Sequence, residues 1–363
     1  MTGTSFKKPS TRQRWTIYDI AREAGVTAKT VSRVLNAKGG VSQETRDRIQ
    51  EIIRRVGYHP HIAARSLRGN RNACIGITLS APMDIIPVSQ HFFIWLFEHL
   101  YRTFGIRGEY VCFDVNPYFG GSSSGYSRGV LEHLFKACVI AGPLALDDKD
   151  IFQIHESGVP YIAMGRLETL PECSCATVDY EEGAYISTCF LLERGHRRIA
   201  MLKGFEGFFP SVERSRGYGR ALQEAGIEVD EALIRSVDFE TRNISNMVHR
   251  LLADSRVTAL IDCSATEDSS GLREGMRRAG RVPGKDIEVV AWTYSENGAV
   301  LSEAAAHVWL PVREVAAEGI EQLAAWTHGK RKGPIRVVYR PVLFTTWANG
   351  EVSRPKRLFG SLE

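Results

Sequence analysis

The sequence predicts a small all-α domain at the N-terminus, followed by an α/β body of two lobes that are each built on a parallel sheet. Length is the first reason, since 363 residues exceed what one ordinary hydrophobic core accommodates. Charge is the second: residues 1–71 contain 15 Lys and Arg against 5 Asp and Glu, whereas the remainder contains 31 against 37. The third is periodicity, because apolar β-rich runs alternate with amphipathic helical patterns from residue 73 onwards. A basic domain on an acidic body indicates a polyanionic partner for the first domain alone.

Composition excludes several classes of protein. The chain is 44% hydrophobic and 24% charged, which is the balance of a soluble globular protein, and no apolar run is long enough to span a bilayer. Residues 1–14 are polar and basic, unlike a signal peptide, so we expect a cytoplasmic protein without a membrane partner. The 7 cysteines are scattered without a paired CxxC, so we expect free thiols, no metal site and no cofactor.

A first helix is predicted to follow Thr16. Thr16 can cap it, with Asp19 returning the bond as in a capping box. Gly25 ends it because glycine tolerates the left-handed conformation. Helical spacing places four apolar side chains on one face: Ile17, Ile20, Ala21 and Ala24.

A second helix follows, with Thr27 as its cap. Its predicted inward side chains are Val31, Val34 and Leu35, and its outward ones are Ala28, Lys29, Ser32, Arg33 and Asn36. Two short helices joined by a glycine-containing turn form a helix-turn-helix unit. Small and basic side chains lie near the N-terminal end of the second helix, where such units meet the edges of bases.

A third helix is predicted to begin after Ser42 and to end at Gly57. Its buried stripe consists of Ile49, Ile52, Ile53 and Val56. Pro60 then breaks the chain, and residues 62–67 are predicted as a last short helical stretch before a linker at 69–72.

The body shows strand and helix patterns in alternation on both sides of Asp179. Strands are predicted at residues 74–79, 110–113, 137–141, 159–163, 198–202, 258–261 and 287–291, and amphipathic helices include residues 181–194, 211–225 and 268–279. Continuous apolar strands separated by helices indicate a parallel sheet covered on both faces. Two such lobes with a cleft between them suit the capture of a small molecule by hinge closure.

Three stretches of the first domain resemble the head and hinge of the lac repressor (LacI/GalR) family: residues 16–36, 57–60 and 63–69. A generic three-helix bundle is the alternative, which the order of these stretches disfavours. The resemblance implies a helix-turn-helix DNA-binding domain over residues 15–60 and a hinge helix with linker over 61–72. It further implies a DNA-binding transcription regulator at the nucleoid, by family default a repressor of a catabolic operon, that binds palindromic operator DNA as a homodimer.

The resemblance also implies roles in DNA binding for residues of the head and hinge. Ala28, Lys29 and Arg33 would face base edges; Arg33 suits a guanine, and Lys29 would read a guanine or contact phosphate. Phosphate contacts are implied for Thr16, Tyr18, Thr27, Thr30, Ser32, Asn36 and Ser42, and hinge contacts for His61, Ala64 and Leu67. In the family, paired leucines matching Leu67 wedge into the minor groove; packing of Leu67 on its own domain is the alternative. About seven residues cannot hold a helix alone in water, so the hinge is expected to order only against DNA and its partner hinge.

Landmarks of the body extend the resemblance along nearly the whole chain: residues 178–180 with Gly183, residues 195–200, Arg214 with Gly217 and Tyr218, and residues 279–280 with Val282 and Pro283. They imply an α/β periplasmic-binding-protein-like core of two parallel-sheet lobes over residues 73–345. Its crossovers between lobes are expected near 179, 307 and 338. A C-terminal tail is expected at 346–363. Its last part, residues 353–363, is short and lacks heptads, which favours a dimer over a tetramer.

A small-molecule effector, which is a sugar, a sugar acid or a related metabolite, is expected to bind in the cleft between the lobes and to control affinity for the operator. The family places an arginine matching Arg214 on the effector, where it would pair with a hydroxyl or a carboxylate; a structural ion pair is the alternative. Arg166 is expected in the same cleft by the same analogy. Many sugar-sensing members carry Asn-Asp where this chain has Ala265 and Thr266, and Asp where it has Trp292 and Thr293. Either Glu267 replaces these acceptors, or the effector is an acidic or aromatic compound stacked on Trp292.

The sequence disfavours two other functions, those of a hydrolase and of a pure solute-binding protein. Residues 121–125 match GxSxG in letters, but a nucleophile elbow requires a strand that runs directly into a sharp turn and a helix. Here residues 116–119 intervene, and the segment is rich in Ser and Gly, so a surface loop is favoured over a hydrolase and no catalytic residue is predicted. A pure solute-binding protein would have no use for the basic head and would need an export signal.

Overall fold

The computed structural model describes residues 15–35, 39–58, 74–81, 90–114, 125–236, 241–265, 268–294 and 301–345. The chain divides into two compact units, Met1–Arg71 and Asn72–Glu363, which we call the head and the body. Within the described ranges, no helix has the length and apolar character that crossing a membrane requires.

Three helices form the head: α1 Ile17–Glu23, α2 Ala28–Leu35 and α3 Gln43–Val56. Their shared core contains Ile20, Val31 and Ile49, which are fully shielded from solvent. Each of these residues lies on an apolar face that helical spacing predicts. The all-α class of the head is therefore confirmed.

The helix boundaries of the head follow from local capping chemistry. Thr16 and Asp19 form the predicted capping box at the start of α1. The side-chain oxygens of Thr27 and Ser42 accept backbone N–H groups in the first turns of α2 and α3, at 3.2 and 3.3 Å. Gly57 follows α3 in the left-handed conformation, with a φ of 63°. These caps determine the residue at which the exposed first turn of α2 begins.

The first lobe of the body is built on a parallel sheet of six strands. They are β1 Cys74–Leu79, β2 Tyr110–Asp114, β3 Phe135–Ala141, β4 Tyr161–Ala163, β5 Cys175–Val178 and β11 Arg336–Tyr339, in the spatial order β11-β5-β4-β3-β1-β2. Its helices are α4 Gln90–Thr103, α5 Arg128–Leu131, α6 Lys149–Glu156 and α11 Val312–Thr327, with a 3₁₀ turn at Gly105–Arg107. Strand β2 is an edge of this sheet.

The second lobe repeats the arrangement with one antiparallel edge strand. Its strands are β6 Ile199–Leu202, β7 Ile234–Arg235, β8 Ala259–Asp262, β9 Glu288–Thr293, β10 Ala306–Trp309 and β12 Val342–Phe344, in the order β12-β10-β9-β8-β6-β7. Its helices are α7 Tyr180–Glu193, α8 Phe209–Glu224, α9 Thr241–Leu251 and α10 Ser270–Arg278, with a 3₁₀ turn at Glu231–Leu233. The predicted fold class, two lobes on parallel sheets, is confirmed.

The carboxyl ends of strands from both sheets meet where the lobes join. β5 ends at Val178 in the first sheet, and α7 of the second lobe begins immediately after Asp179. The loops that follow β3 and β6 touch through an antiparallel bridge between Ala145 and Phe208. Open α/β folds bind ligands beyond the carboxyl ends of their strands, so we expect a ligand site at this junction.

Helices α7 and α8 pack closely against each other and form the side of the junction that belongs to the second lobe. A Cβ atom at Gly217 of α8 would overlap the backbone carbonyl of Glu181 in α7. A Cβ atom at Gly183 would lie 2.8 Å from the indole of Trp292. Glycine at both positions lets the two helices and the indole pack in contact.

Candidate functional sites

Helix α2 presents a basic surface in the head, with Lys29 in its first turn and Arg33 in its last. Lys29 and Arg33 are four residues apart on this helix and both are exposed, so they lie on one face. The described ion pairs of the head instead join Arg22 to Asp19 and Arg55 to Glu23. Two cations on one exposed face can donate to base edges or to phosphates.

Other sequence-predicted DNA contacts lie around α2 with differing exposure. Thr16, Tyr18, Thr27 and Ser42 are exposed, whereas Thr30 and Ser32 are half-buried. Ala28 is also half-buried and packs against the core of the head, so only part of its surface is open to a partner. Asn36, His61, Ala64 and Leu67 lie outside the described residues.

Arg214 lies buried at the lobe junction, on the first half of α8. Its guanidinium carbon is 4.9 Å from the ring centre of Tyr180 and 5.2 Å from that of Trp292. Nη1 donates to the carbonyl oxygen of Lys203 at 2.9 Å. Nε is buried and has no hydrogen-bond partner among the described residues. A buried guanidinium donor without a partner suits a ligand oxygen.

Trp292 is brought together with Arg214, but its indole is engaged by the protein. Only 1% of Trp292 is exposed, its ring stacks on Tyr180 at a 10° interplanar angle, and its Nε1 donates to Ser187 Oγ at 3.1 Å. The following residue, Thr293, is fully buried. The predicted stack of an effector on Trp292 is occupied here by Arg214 and Tyr180. Thr266 and Glu267 lie outside the described residues.

Arg166 follows β4 and reaches across the junction to two carboxylates. Its Nε donates to Glu213 Oε1 at 2.6 Å, and its Nη2 donates to Asp179 Oδ1 at 3.2 Å. Glu213 is 2% exposed, and its burial raises the pKa of its carboxyl to about 7, against the opposing charge of Arg166. Arg166 therefore binds side chains of the protein in this arrangement.

Two polar residues at the end of β8 were missed by the sequence analysis. Asp262 and Ser264 are both buried, and the Ser264 backbone N–H donates to Asp262 Oδ1 at 3.0 Å. Burial raises the pKa of Asp262, and the nearby charge of Arg214 opposes that rise. The sequence feature that could have identified Asp262 is an Asp directly after an apolar run, at the carboxyl end of a parallel strand. Asp262 is therefore a buried carboxyl on which the charge of Arg214 acts.

A pocket of about 250 Å³ opens beside the Arg166–Glu213 pair. Its polar lining includes Arg166, Glu168, Glu213 and Arg216, which come from both lobes. Arginines and glutamates of this lining neutralise one another, so the pocket has no strong preference for one sign of charge. Within the described ranges, no cluster of His, Cys, Asp or Glu could hold a metal ion.

A helix-turn-helix head with an exposed basic helix, joined to a two-lobed α/β body with a buried arginine at the lobe junction, defines a DNA-binding regulator with a ligand-sensing body. The comparisons with known proteins agree. The profile of the bacterial regulatory proteins of the lacI family matches residues 16–61. That of the periplasmic binding proteins and sugar-binding domain of the LacI family matches residues 122–318. The chain belongs to the LacI family of transcription regulators.

Characterised relatives are similar over most of the chain. The HTH-type transcriptional regulator CelR of Thermobifida fusca is 30% identical over 332 residues, which cover 90% of this chain and 96% of the relative. Catabolite control protein A of Priestia megaterium is 25% identical over 319 residues, covering 86% and 92%. The names of both relatives describe regulatory proteins.

Solved structures share the fold. The lac repressor dimer bound to operator and the anti-inducer ONPF matches with a TM-score of 0.73 at 20% identity, covering 93% of this chain and 100% of that one. A complex of the regulator CelR with cellobiose matches with a TM-score of 0.63 at 26% identity, covering 91% and 98%. Both matches extend over head and body.

Proposed function

We propose that this chain is a repressor of a catabolic operon that binds palindromic operator DNA as a homodimer in the cytoplasm, at the nucleoid. A small molecule bound between the lobes of the body controls its affinity for the operator. The observation that carries the DNA-binding part is the pair of exposed cations on α2, Lys29 and Arg33. The observation that carries the effector part is the buried guanidinium of Arg214 with its unpartnered Nε. The lac repressor matched above is a dimer on operator DNA, which supports the same assembly here.

Arg33→Ala tests the reading of the operator. We expect the variant to lose about 1–3 kcal/mol of discrimination at one operator position, because a guanidinium donates two hydrogen bonds to guanine that alanine cannot replace. The probe is a twofold-symmetric duplex selected by the wild-type chain from a randomised pool. Binding is measured by fluorescence anisotropy against all four bases at each position. Wild-type log affinity should fall steeply with log salt concentration.

Arg54→Ala is the matched control, since Arg54 is an exposed arginine of α3 in the same head. It should lower affinity uniformly, if at all, and leave base preference unchanged. Equal discrimination by Arg33→Ala and the wild type would contradict the proposed reading, as would equal affinity for a half-site and for the full palindrome.

We propose an effector of the carbohydrate class that carries a carboxylate, such as a sugar acid. The matched structure of a CelR regulator is a complex with the neutral sugar cellobiose, which supports the carbohydrate class. The acid is favoured because Arg214 offers a charged donor, whereas its aromatic neighbours Tyr180 and Trp292 already stack with it. Asp262 provides an acceptor for sugar hydroxyls close by.

Arg214→Ala tests the effector site by calorimetry with glucose, cellobiose, gluconate and galacturonate. We expect one of the acids to bind the wild type, and the variant to lose about 1.5–3 kcal/mol of that binding, which is typical of a hydrogen bond to a charged group. Arg220→Ala is the control, because Arg220 lies on the same helix but pairs with Glu181 and Glu182 within its lobe. Tight binding of a neutral hexose that survives Arg214→Ala would refute the proposal.

The proposed homodimer needs a surface for the second copy, and we assign it to α4 and β2. Ile94, Phe97 and Tyr101 follow one another at helical spacing and are 59%, 44% and 65% exposed. Phe113 of the edge strand β2 packs edge-on against Phe97, with ring centres 6.0 Å apart. An exposed apolar face of this kind is typical of a protein–protein interface.

A further inference from the structure

Two backbone hydrogen bonds join the lobes at the start of α8. The backbone N–H of Leu146, in the first lobe, donates to the carbonyl oxygen of Gly207 at 3.0 Å. The backbone N–H of Phe209 donates back to the carbonyl oxygen of Leu144 at 3.0 Å. These two bonds form a short antiparallel bridge between loops that follow β3 and β6. The first turn of α8 is thereby tied to the first lobe.

Two ion pairs continue this connection along the next turns of α8. Glu213 accepts from Arg166 at 2.6 Å, and Arg216 donates to both carboxylate oxygens of Glu168 at 3.0 and 2.7 Å. Glu213 and Arg216 are three residues apart, so they lie on the same side of the helix. Each pair joins α8 to the segment that follows β4. The two pairs differ in solvent exposure, since Glu213 is buried and Glu168 is exposed.

We propose that residues 207–216 form a latch that holds the two lobes together in the absence of effector, with Arg166 as its principal partner in the first lobe. Arg214 lies inside this stretch and contacts the junction from another face of α8. An effector that moves Arg214 therefore acts directly on the latch. Arg166 is a positioning residue in this assignment and acts on the effector site through Glu213. The inference builds on the proposed effector cleft, but its test needs neither effector nor operator.

The buried ion pair dominates the latch. Removing Arg166 leaves the carboxylate of Glu213 buried without its cation, which is costly inside a protein. Separation of the lobes relieves this cost because it lets water reach the carboxylate. Removing Glu168 breaks only an exposed pair, whose contribution is small. We therefore expect Arg166→Ala to open the lobes and Glu168→Ala to have little effect.

Amide hydrogen exchange of the effector-free, full-length protein measures the latch directly, because Leu146 and Phe209 donate the bonds of the bridge. We expect both amides to be protected in the wild type. Arg166→Ala should speed their exchange at least about tenfold. Exchange within β3 and β6 should stay unchanged. Arg220→Ala, which removes an arginine of α8 paired within its own lobe, should leave the Leu146 and Phe209 amides protected.

Several outcomes would overturn the latch. Rapid exchange of Leu146 and Phe209 in the wild type would mean that the lobes are not held together without effector. Unchanged exchange in Arg166→Ala would remove the assigned role of the ion pair. A rise that extends equally through β3 and β6 would indicate general destabilisation instead of local opening. If Arg166→Ala does not fold, Glu213→Leu gives the same readout, because it removes the oxygen to which Arg166 Nε donates. Unchanged exchange in that variant refutes the proposal.

Discussion

Replacing Trp292 with alanine is expected to lower the free energy of unfolding of the body by about 3–5 kcal/mol, as large-to-small changes of buried aromatic residues do. Trp292 is 1% exposed and is among the largest fully buried side chains of the described residues. Its removal would leave a cavity against Gly183 and Tyr180, and it would take away the donor that Ser187 Oγ accepts. Arg214 would lose one of its two aromatic neighbours.

Urea unfolding of the full chain, followed by circular dichroism, measures this loss. Trp292→Phe is the control, since it keeps an aromatic ring against Tyr180 but lacks the Nε1 donor. It should cost clearly less than the alanine variant. A free energy of unfolding of Trp292→Ala within about 1 kcal/mol of the wild type would contradict the packing of the indole.

Trp292 shows which properties of a site residue can be predicted from sequence and which depend on the folded structure. Its place at the end of a strand was predictable from the apolar run that precedes it. Whether its ring faces a ligand or the protein depends on Gly183 and Ser187, which are about a hundred residues away along the chain. The same applies to Arg166, whose partner Glu213 is 47 residues distant. Arg214 was predicted from its family position, and its burial beside two rings required the folded structure.

More of the fold than of the site could be predicted from the sequence, because the strands carry local signals. β1 was predicted with the bounds that the structure has, Cys74–Leu79, since its apolar run is continuous and ends at a Ser. The edge strand β12 was not predicted: it has three residues, all half-buried, and pairs antiparallel to β10. Short edge strands have little periodicity to reveal them. Position in the sheet does not decide this alone, since the buried inner strands β5 and β10 were not predicted either, whereas the edge strand β2 was.

Placing a charge on the exposed face of α4 is expected to have the largest effect on operator binding. Ile94→Glu should shift the protein from dimer to monomer, because a carboxylate buried between two copies would lack a partner. A monomer reads only one half-site, so affinity for the palindrome should fall at least about 100-fold through lost avidity. Ile94 is 59% exposed, so the change leaves the core of the body intact. Sedimentation velocity reports the oligomeric state, and mobility shift of the selected operator reports the affinity.

Val282→Glu separates this effect from the added negative charge. Val282 is 51% exposed and lies in the second lobe, away from α4 and β2. It should remain dimeric and bind the operator nearly as the wild type does, because long-range repulsion from one exposed charge is largely screened at physiological salt. If Ile94→Glu remained a dimer with full operator affinity, the face formed by α4 and β2 would not be the interface. If it became a monomer that still bound the palindrome tightly, dimerisation would not be what joins the two half-sites.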